Sequence, residues 1–210
     1  MSPIGISYNM KNANIATFSG SSNYTTNSGF SNLAPLAQDT FVKNENQAGE
    51  NSKSIKKSSD GKIKSILEYD SKTGKPLKET TYKEDGKTIF LVDEYDLNTE
   101  KIKRSTFYNE DGKTISSVRE YNKDTELSLR NIDFYEDGKT IFNISEYDPV
   151  SGKIKKSTEY DKDGKTITAV GEYDPITEKL IKVTHYNEDG KTINSVYQID
   201  QGTGLSSKLN

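Results

Sequence analysis

The sequence predicts an all-β fold, an elongated antiparallel meander of about six tandem 26-residue β-hairpin repeats, preceded by a disordered N-terminal arm. Three observations predict it. "DGK" begins at Asp60, Asp85, Asp111, Asp137, Asp163 and Asp189, spaced by 25 and then by 26 residues; a fixed period of this size marks a repeat array. Between these motifs lie stretches rich in Ile, Val, Thr and Tyr, bounded by turn residues, which is the composition of strands. Only 30% of the 210 residues are hydrophobic, 29% are charged, and Leu, Ile, Val and Phe together number 43, too few for a thick two-layer core. The 13 tyrosines suit a thin sheet, since each ring packs while its hydroxyl stays wet.

Residues 1–57 are rich in Ser, Asn, Thr and Gly, as in "SGSSNYTTNSGFSN", and show neither helical nor strand periodicity. They are expected to be a disordered arm, because such a tract buries too little apolar surface to offset its ordering entropy. The apolar cluster from Phe30 to Val42 reads as a linker with stray apolar residues, a short docking segment being the alternative. Residues 58–210 form the repeat domain. The opening "MSPIGISYNMKNANIATF" has no basic n-region and no long apolar run, so a Sec signal peptide is not expected, nor is a membrane span later. Location is then the cytoplasm, or outside it by signal-independent export.

Each repeat reads D-G-K-T-I-x-x-V-x-E-Y-D-P-x-T-G-K-I-K-K-x-T-x-Y-x-x. Its first turn, "NEDG" or "DKDG", uses Gly for the positive φ of a type I turn with a bulge. Its second, "DPVSGK" and variants, uses Pro to preset φ and Asp or Thr to bond the local backbone. Both connections are short, so neighbouring strands run antiparallel. Two strands per repeat advance a sheet by about 10 Å. A hairpin cannot bury its surface alone; identical stacked hairpins complete one another.

Several columns repeat down the array. The acidic one is Glu68, Glu94, Glu120, Glu146 and Glu172, relaxing to Gln198; the basic one is Lys78, Arg104, Arg130, Lys156, Lys182 and Lys208. One aromatic column is Tyr69, Tyr95, Tyr121, Tyr147 and Tyr173; the other is Tyr82, Tyr108, Phe134, Tyr160 and Tyr186. Ile89, Ile115, Ile141, Ile167 and Ile193 open the strands across the turn from the second column, which predicts Ile–Tyr cross-strand packing. Ile, Val and Tyr three apart fall on alternating faces. Either both faces carry apolar cover or a bulge realigns them.

The consensus "DGKTI...EYDP..TGK.IK.T.Y", from about Asp60 to Lys208, resembles the tandem repeats of a bacterial family of unknown function represented in phytoplasmas. That resemblance implies a repeat protein and no activity. In shape, such hairpin arrays also resemble the MORN class and the single-layer sheet of spirochaete surface lipoproteins.

Catalytic, metal and nucleotide chemistry finds little support. "GKT" recurs at Gly86, Gly112, Gly138, Gly164 and Gly190, but a P-loop needs another Gly five positions upstream, where Thr81, Phe107, Asp133, Glu159 and His185 stand. "DKDGKT" at Asp161 imitates the start of a calcium loop, yet its Asp and Gly are explained by the turn. His185 is the only histidine and there is no cysteine, so neither a zinc site nor a Ser-His relay has its partners. The net charge of −3, with acids and bases interleaved, offers no basic stripe to nucleic acid. Catalysis requires one singular pocket, whereas these columns repeat. No cofactor and no enzyme activity are expected. The expected role is a non-catalytic interaction or structural module with a protein partner. The alternative is a polysaccharide bound by the tyrosine ladders Tyr69, Tyr95, Tyr121, Tyr147 and Tyr173, or Tyr82, Tyr108, Tyr160 and Tyr186, at the regular step of the repeat; sheet packing explains the same rings.

Overall fold

The computed structural model describes residues 39–42, by backbone alone, and 52–209. They form a single open antiparallel sheet in which every strand pairs with its sequence neighbours, the meander that the repeat predicts. Its order is β1 (Asp39–Val42), β2 (Lys53–Lys57), β3 (Ile63–Tyr69), β4 (Pro76–Tyr82), β5 (Ile89–Tyr95), β6 (Ile102–Tyr108), β7 (Ile115–Tyr121), β8 (Ser128–Phe134), β9 (Ile141–Tyr147), β10 (Ile154–Tyr160), β11 (Ile167–Tyr173), β12 (Leu180–Tyr186), β13 (Ile193–Ile199) and β14 (Ser206–Leu209).

The sheet starts earlier than the composition boundary after Lys57. β2 pairs with β3, setting Lys53 opposite Glu68, and β1 pairs with β2. The last four residues of the cluster from Phe30 to Val42 are therefore strand. Most of the arm expected to be disordered lies outside the described residues.

Both turns are built as their residues dictate. In "EDGKT" the Asp85 carboxylate accepts the N–H groups of Lys87 and Thr88 at 2.8 Å and the Thr88 hydroxyl, while Gly86 takes φ 70°. The same set recurs at Asp111, Asp137, Asp163 and Asp189. In the other turn Asp70 accepts from the Thr73 N–H at 2.8 Å and from its hydroxyl. Successive turns also touch. Lys75, Lys101, Lys153 and Lys179 each donate from Nζ to a carbonyl of the next repeat's turn, at Leu97, Asp124, Ile176 and Gln201.

A bulge falls at almost every strand end. Tyr82 pairs with Ile89 while Thr81 pairs with Leu91, so Phe90 is the extra residue. The Phe90 ring meets Phe107, the cross-strand partner of Leu91, edge-on at 6.3 Å. Phe90 and Leu91 thus share a face, and Ile89 returns to the face of Tyr82. The expected Ile–Tyr pairing is present at Tyr82–Ile89, Tyr108–Ile115, Phe134–Ile141, Tyr160–Ile167 and Tyr186–Ile193. Both sequence options hold together: a bulge realigns the pairs, and both faces carry apolar residues. The buried set is small: Val118 at 2% exposure with Thr80, Thr106, Ile144, Thr158 and Thr184 on one side of the sheet, and Ser65, Asp93, Ser105, Asn131, Ser145, Ala169 and Val183 on the other.

Candidate functional site

Register sorts the central residues of β3–β13 into four rows across the sheet, alternate rows sharing a face. One row is Ile66, Thr80, Val92, Thr106, Val118, Ile132, Ile144, Thr158, Val170, Thr184 and Val196. On the same face runs Glu68, Lys78, Glu94, Arg104, Glu120, Arg130, Glu146, Lys156, Glu172, Lys182 and Gln198. The two charged columns of the sequence are therefore one row of alternating sign. Each charge from Glu68 to Glu172 stands between opposite ones, while Lys182 has Glu172 on one side and Gln198 on the other: Glu68 meets Lys78 at 3.1 Å and Lys53 at 3.8 Å, and Lys182 meets Glu172 at 2.6 Å. Lys208 leaves this row. The last hairpin lacks the bulge, so Ser207 takes the place opposite Gln198 and Lys208 pairs with Tyr197 on the other face.

That other face is unlike the first. One of its rows reads Ser65, Thr81, Leu91, Phe107, Ser117, Asp133, Asn143, Glu159, Ala169, His185 and Ser195. The second reads Leu67, Glu79, Asp93, Ser105, Arg119, Asn131, Ser145, Ser157, Gly171, Val183 and Tyr197. Here the residue changes from repeat to repeat in charge, size and polarity. One face is uniform and the other is varied.

The tyrosine columns are split between these faces. Tyr82, Tyr108, Tyr160 and Tyr186, with Phe134, lie two residues along from the Thr/Ile row and so on the uniform face. Tyr69, Tyr95, Tyr121, Tyr147 and Tyr173 lie two residues along from Leu67 and its equivalents, on the varied face. The nine tyrosines make two ladders back to back, never one surface. On the varied face three of the hydroxyls are tied down. The Tyr95 hydroxyl donates to Glu79 Oε2 at 3.2 Å; the Tyr121 hydroxyl lies 3.3 Å from Ser105 Oγ, and that of Tyr173 lies 3.3 Å from Ser157 Oγ.

Sequence reasoning missed a polar network on this face. Ser105 donates to Asp93 Oδ1 at 2.5 Å. Burial, more than its carboxylate neighbour Glu79, holds the Asp93 carboxyl above the usual range. Farther along, Asn131 Nδ2 donates to Asp133 Oδ1 at 2.8 Å, and Asn143 Nδ2 donates to Asp133 Oδ2 at 3.2 Å. Arg119 Nε and Asn131 Oδ1 are enclosed without a hydrogen-bond partner. The clue was present as repeat positions that refuse a consensus, but without parity nothing placed them together.

Among the described residues no group of three His, Cys, Asp or Glu side chains is arranged to hold a metal ion, and no helix is long and apolar enough to cross a membrane. The turn carboxylates are committed to their own backbone. Hydrogen bonds from Thr88 and Lys87 pull Asp85 down to about 2, and Asp111, Asp163 and Asp189 are likewise held at about 2.

The model of a family described as "Protein of unknown function (DUF2963)" matches residues 58–107, 108–159 and 160–208. No curated protein matches. Among solved structures, the chain is similar to a mutant of S. aureus TarM in complex with fondaparinux, alpha-GlcNAc-glycerol and UDP, at 13% identity and a TM-score of 0.39, covering 63% of this chain and 21% of that one. A further structure of TarM matches at 9% identity and a TM-score of 0.27, over 81% of this chain and 21% of that one. A TcdB2-TccC3-Cdc42 structure matches at 12% identity and a TM-score of 0.21, over 74% and 10%. The chain thus spans about a fifth of the length of the TarM chains.

Proposed function

Because the chain belongs to this family of unknown function, its own geometry has to supply a role, and we propose that it is a non-catalytic interaction module whose varied face binds another protein. The observation that carries this is the contrast between the faces. A sheet one layer thick needs uniform rows to keep its register and its charge balance. The face with alternating Glu and Lys or Arg and the Thr/Val/Ile row meets that need. The opposite face is released from it, and presents Phe90 and Phe142 at 45% and 43% exposure on the same side as the half-buried Asp133, Asn143, Glu159 and Arg119. Aromatic anchors among adaptable polar groups are the chemistry of protein recognition.

The chain contains no cysteine, so one introduced thiol carries a photo-crosslinker to a single place. Placing it at Phe90 or Phe142 on the varied face, and at Arg104 or Lys156 on the uniform face, and irradiating in native lysate compares the two surfaces. Protein adducts from the first pair alone are expected. Adducts mainly from the second pair, or from neither, overturn the reading.

A further inference from the structure

Within the varied face one repeat breaks the pattern in three ways at once. In the other repeats with a resolved bond, the tyrosine hydroxyl reaches the side chain sixteen residues earlier: Tyr95 to Glu79, Tyr121 to Ser105, Tyr173 to Ser157. The equivalent partner of Tyr147 is Asn131. That bond is absent among the described residues, and the Asn131 Oδ1 that would receive it is enclosed and unpaired in a side chain at 9% exposure. Arg119, the direct cross-strand partner of Asn131, has an unpaired Nε–H. Finally, the residues facing the tyrosines of this column are Pro76, Ile102, Ile154 and Leu180, but Ser128 faces Tyr121. Among the residues facing a tyrosine of this column Ser128 alone interrupts the apolar row; Ser206, next in the column, faces Ile199.

We propose that this interruption, between the Tyr121 and Tyr147 rings, is a binding notch for a neutral saccharide unit. The two rings stand two strands apart, about 10 Å, which leaves room for a ring lying against tyrosine faces where Ile or Leu stands elsewhere. A sugar hydroxyl accepts and donates at once. It meets the groups left over here, a guanidinium N–H, an amide oxygen and two hydroxyls, by entering as the Arg119 side chain shifts outward. Arg119 and Asp133 on the same face balance in charge, so a neutral ligand fits better than an anion. Unpaired enclosed polar groups are rare and costly in folded proteins, and a ligand that satisfies them is bound selectively. The proposal rests on the varied face being the binding face, but not on a protein partner.

The test is a titration of the full-length ¹⁵N-labelled chain with cellotriose, chitotriose and laminaritriose to millimolar concentration, followed by amide shifts. Shifts confined to β7, β8 and β9 are expected with at least one sugar. Two variants return the site to the pattern of its neighbours and so retain the fold: Ser128→Leu fills the notch, and Asn131→Ser restores the hydroxyl pair seen at Ser105 and Ser157. Each is expected to weaken binding at least about tenfold without lowering Tm. Shifts that survive Ser128→Leu, or none with any of the three sugars, overturn the proposal; the latter is what a notch holding only water gives. Crosslinking at Phe90 and Phe142 lies at the opposite end of the strands and reports on the protein partner separately.

Discussion

Gly112 of one repeat lies against Ile89 of the repeat before it: a Cβ on Gly112 would sit 2.8 Å from the Ile89 backbone nitrogen and 2.6 Å from Thr88 Cγ2. The turns are thus packed on one another, and the glycine that shapes a turn also lets the next one approach. At Gly61 and Gly204, φ is 82° and 72° but nothing lies within 4 Å of the added atom. Gly204→Ala is expected to cost about 1 kcal/mol for the left-handed backbone alone. Gly112→Ala is expected to cost about 2 kcal/mol more, since backbone cannot step aside. Urea unfolding of the two variants measures the difference, and equal losses would dissolve the idea of turn-on-turn packing.

Three second turns place glutamate where the others place glycine: Glu100, Glu126 and Glu178 have φ of 61°, 62° and 59°. Glu178→Gly relieves this strain and is expected to stabilise by about 1 kcal/mol. Glu126→Gly gains less by the exposed ion pair to Lys101 at 3.7 Å, a contact worth at most about 1 kcal/mol.

Burial on a single layer is local. Val118, at 2% exposure, is expected to cost about 2 kcal/mol on truncation to alanine, whereas Val150, 84% exposed at a turn tip, is expected to change stability by less than about 0.5 kcal/mol. Thermal unfolding of both variants checks the contrast.

Acid acts in two directions. The carboxyls of Asp85, Asp111, Asp163 and Asp189 are lowered from 3.8 to about 2 in the fold, mainly by the Thr hydroxyl and backbone N–H groups of the turn. Their stabilisation is present above the ordinary value and is lost as pH falls from about 4 towards 2. Asp93 is raised by burial, so its protonated form favours the fold, and its contribution is lost as pH rises through its folded value. Tm is therefore expected to increase slightly on mild acidification and then to fall steeply below about pH 4. Asp93→Asn should remove the first limb and keep the second. A profile in which Asp93→Asn leaves the first limb unchanged would contradict the assignment.

The hairpins, their period and both turns were legible because each follows from residues a few positions apart: Asp binds its own backbone, Gly takes positive φ, and short loops force antiparallel neighbours. The Ile–Tyr pairs could be read for the same reason, being joined across one turn. Faces could not. Side-chain direction depends on parity, and a single extra residue such as Phe90 reverses it without leaving a mark in the period. The tertiary structure therefore decided that Glu94 and Arg104 belong to one row, that Tyr147 and Tyr160 point to opposite sides, and that Lys208, in a hairpin without a bulge, departs from Lys182. It also decided that β1 and β2 join the sheet: pairing of β2 with β3, and of β1 with β2, supplies backbone hydrogen bonds to segments whose own composition does not mark them as strand. The Ser128 interruption was in the sequence throughout, but it became a place only when parity set it between Tyr121 and Tyr147 and beside Arg119 and Asn131.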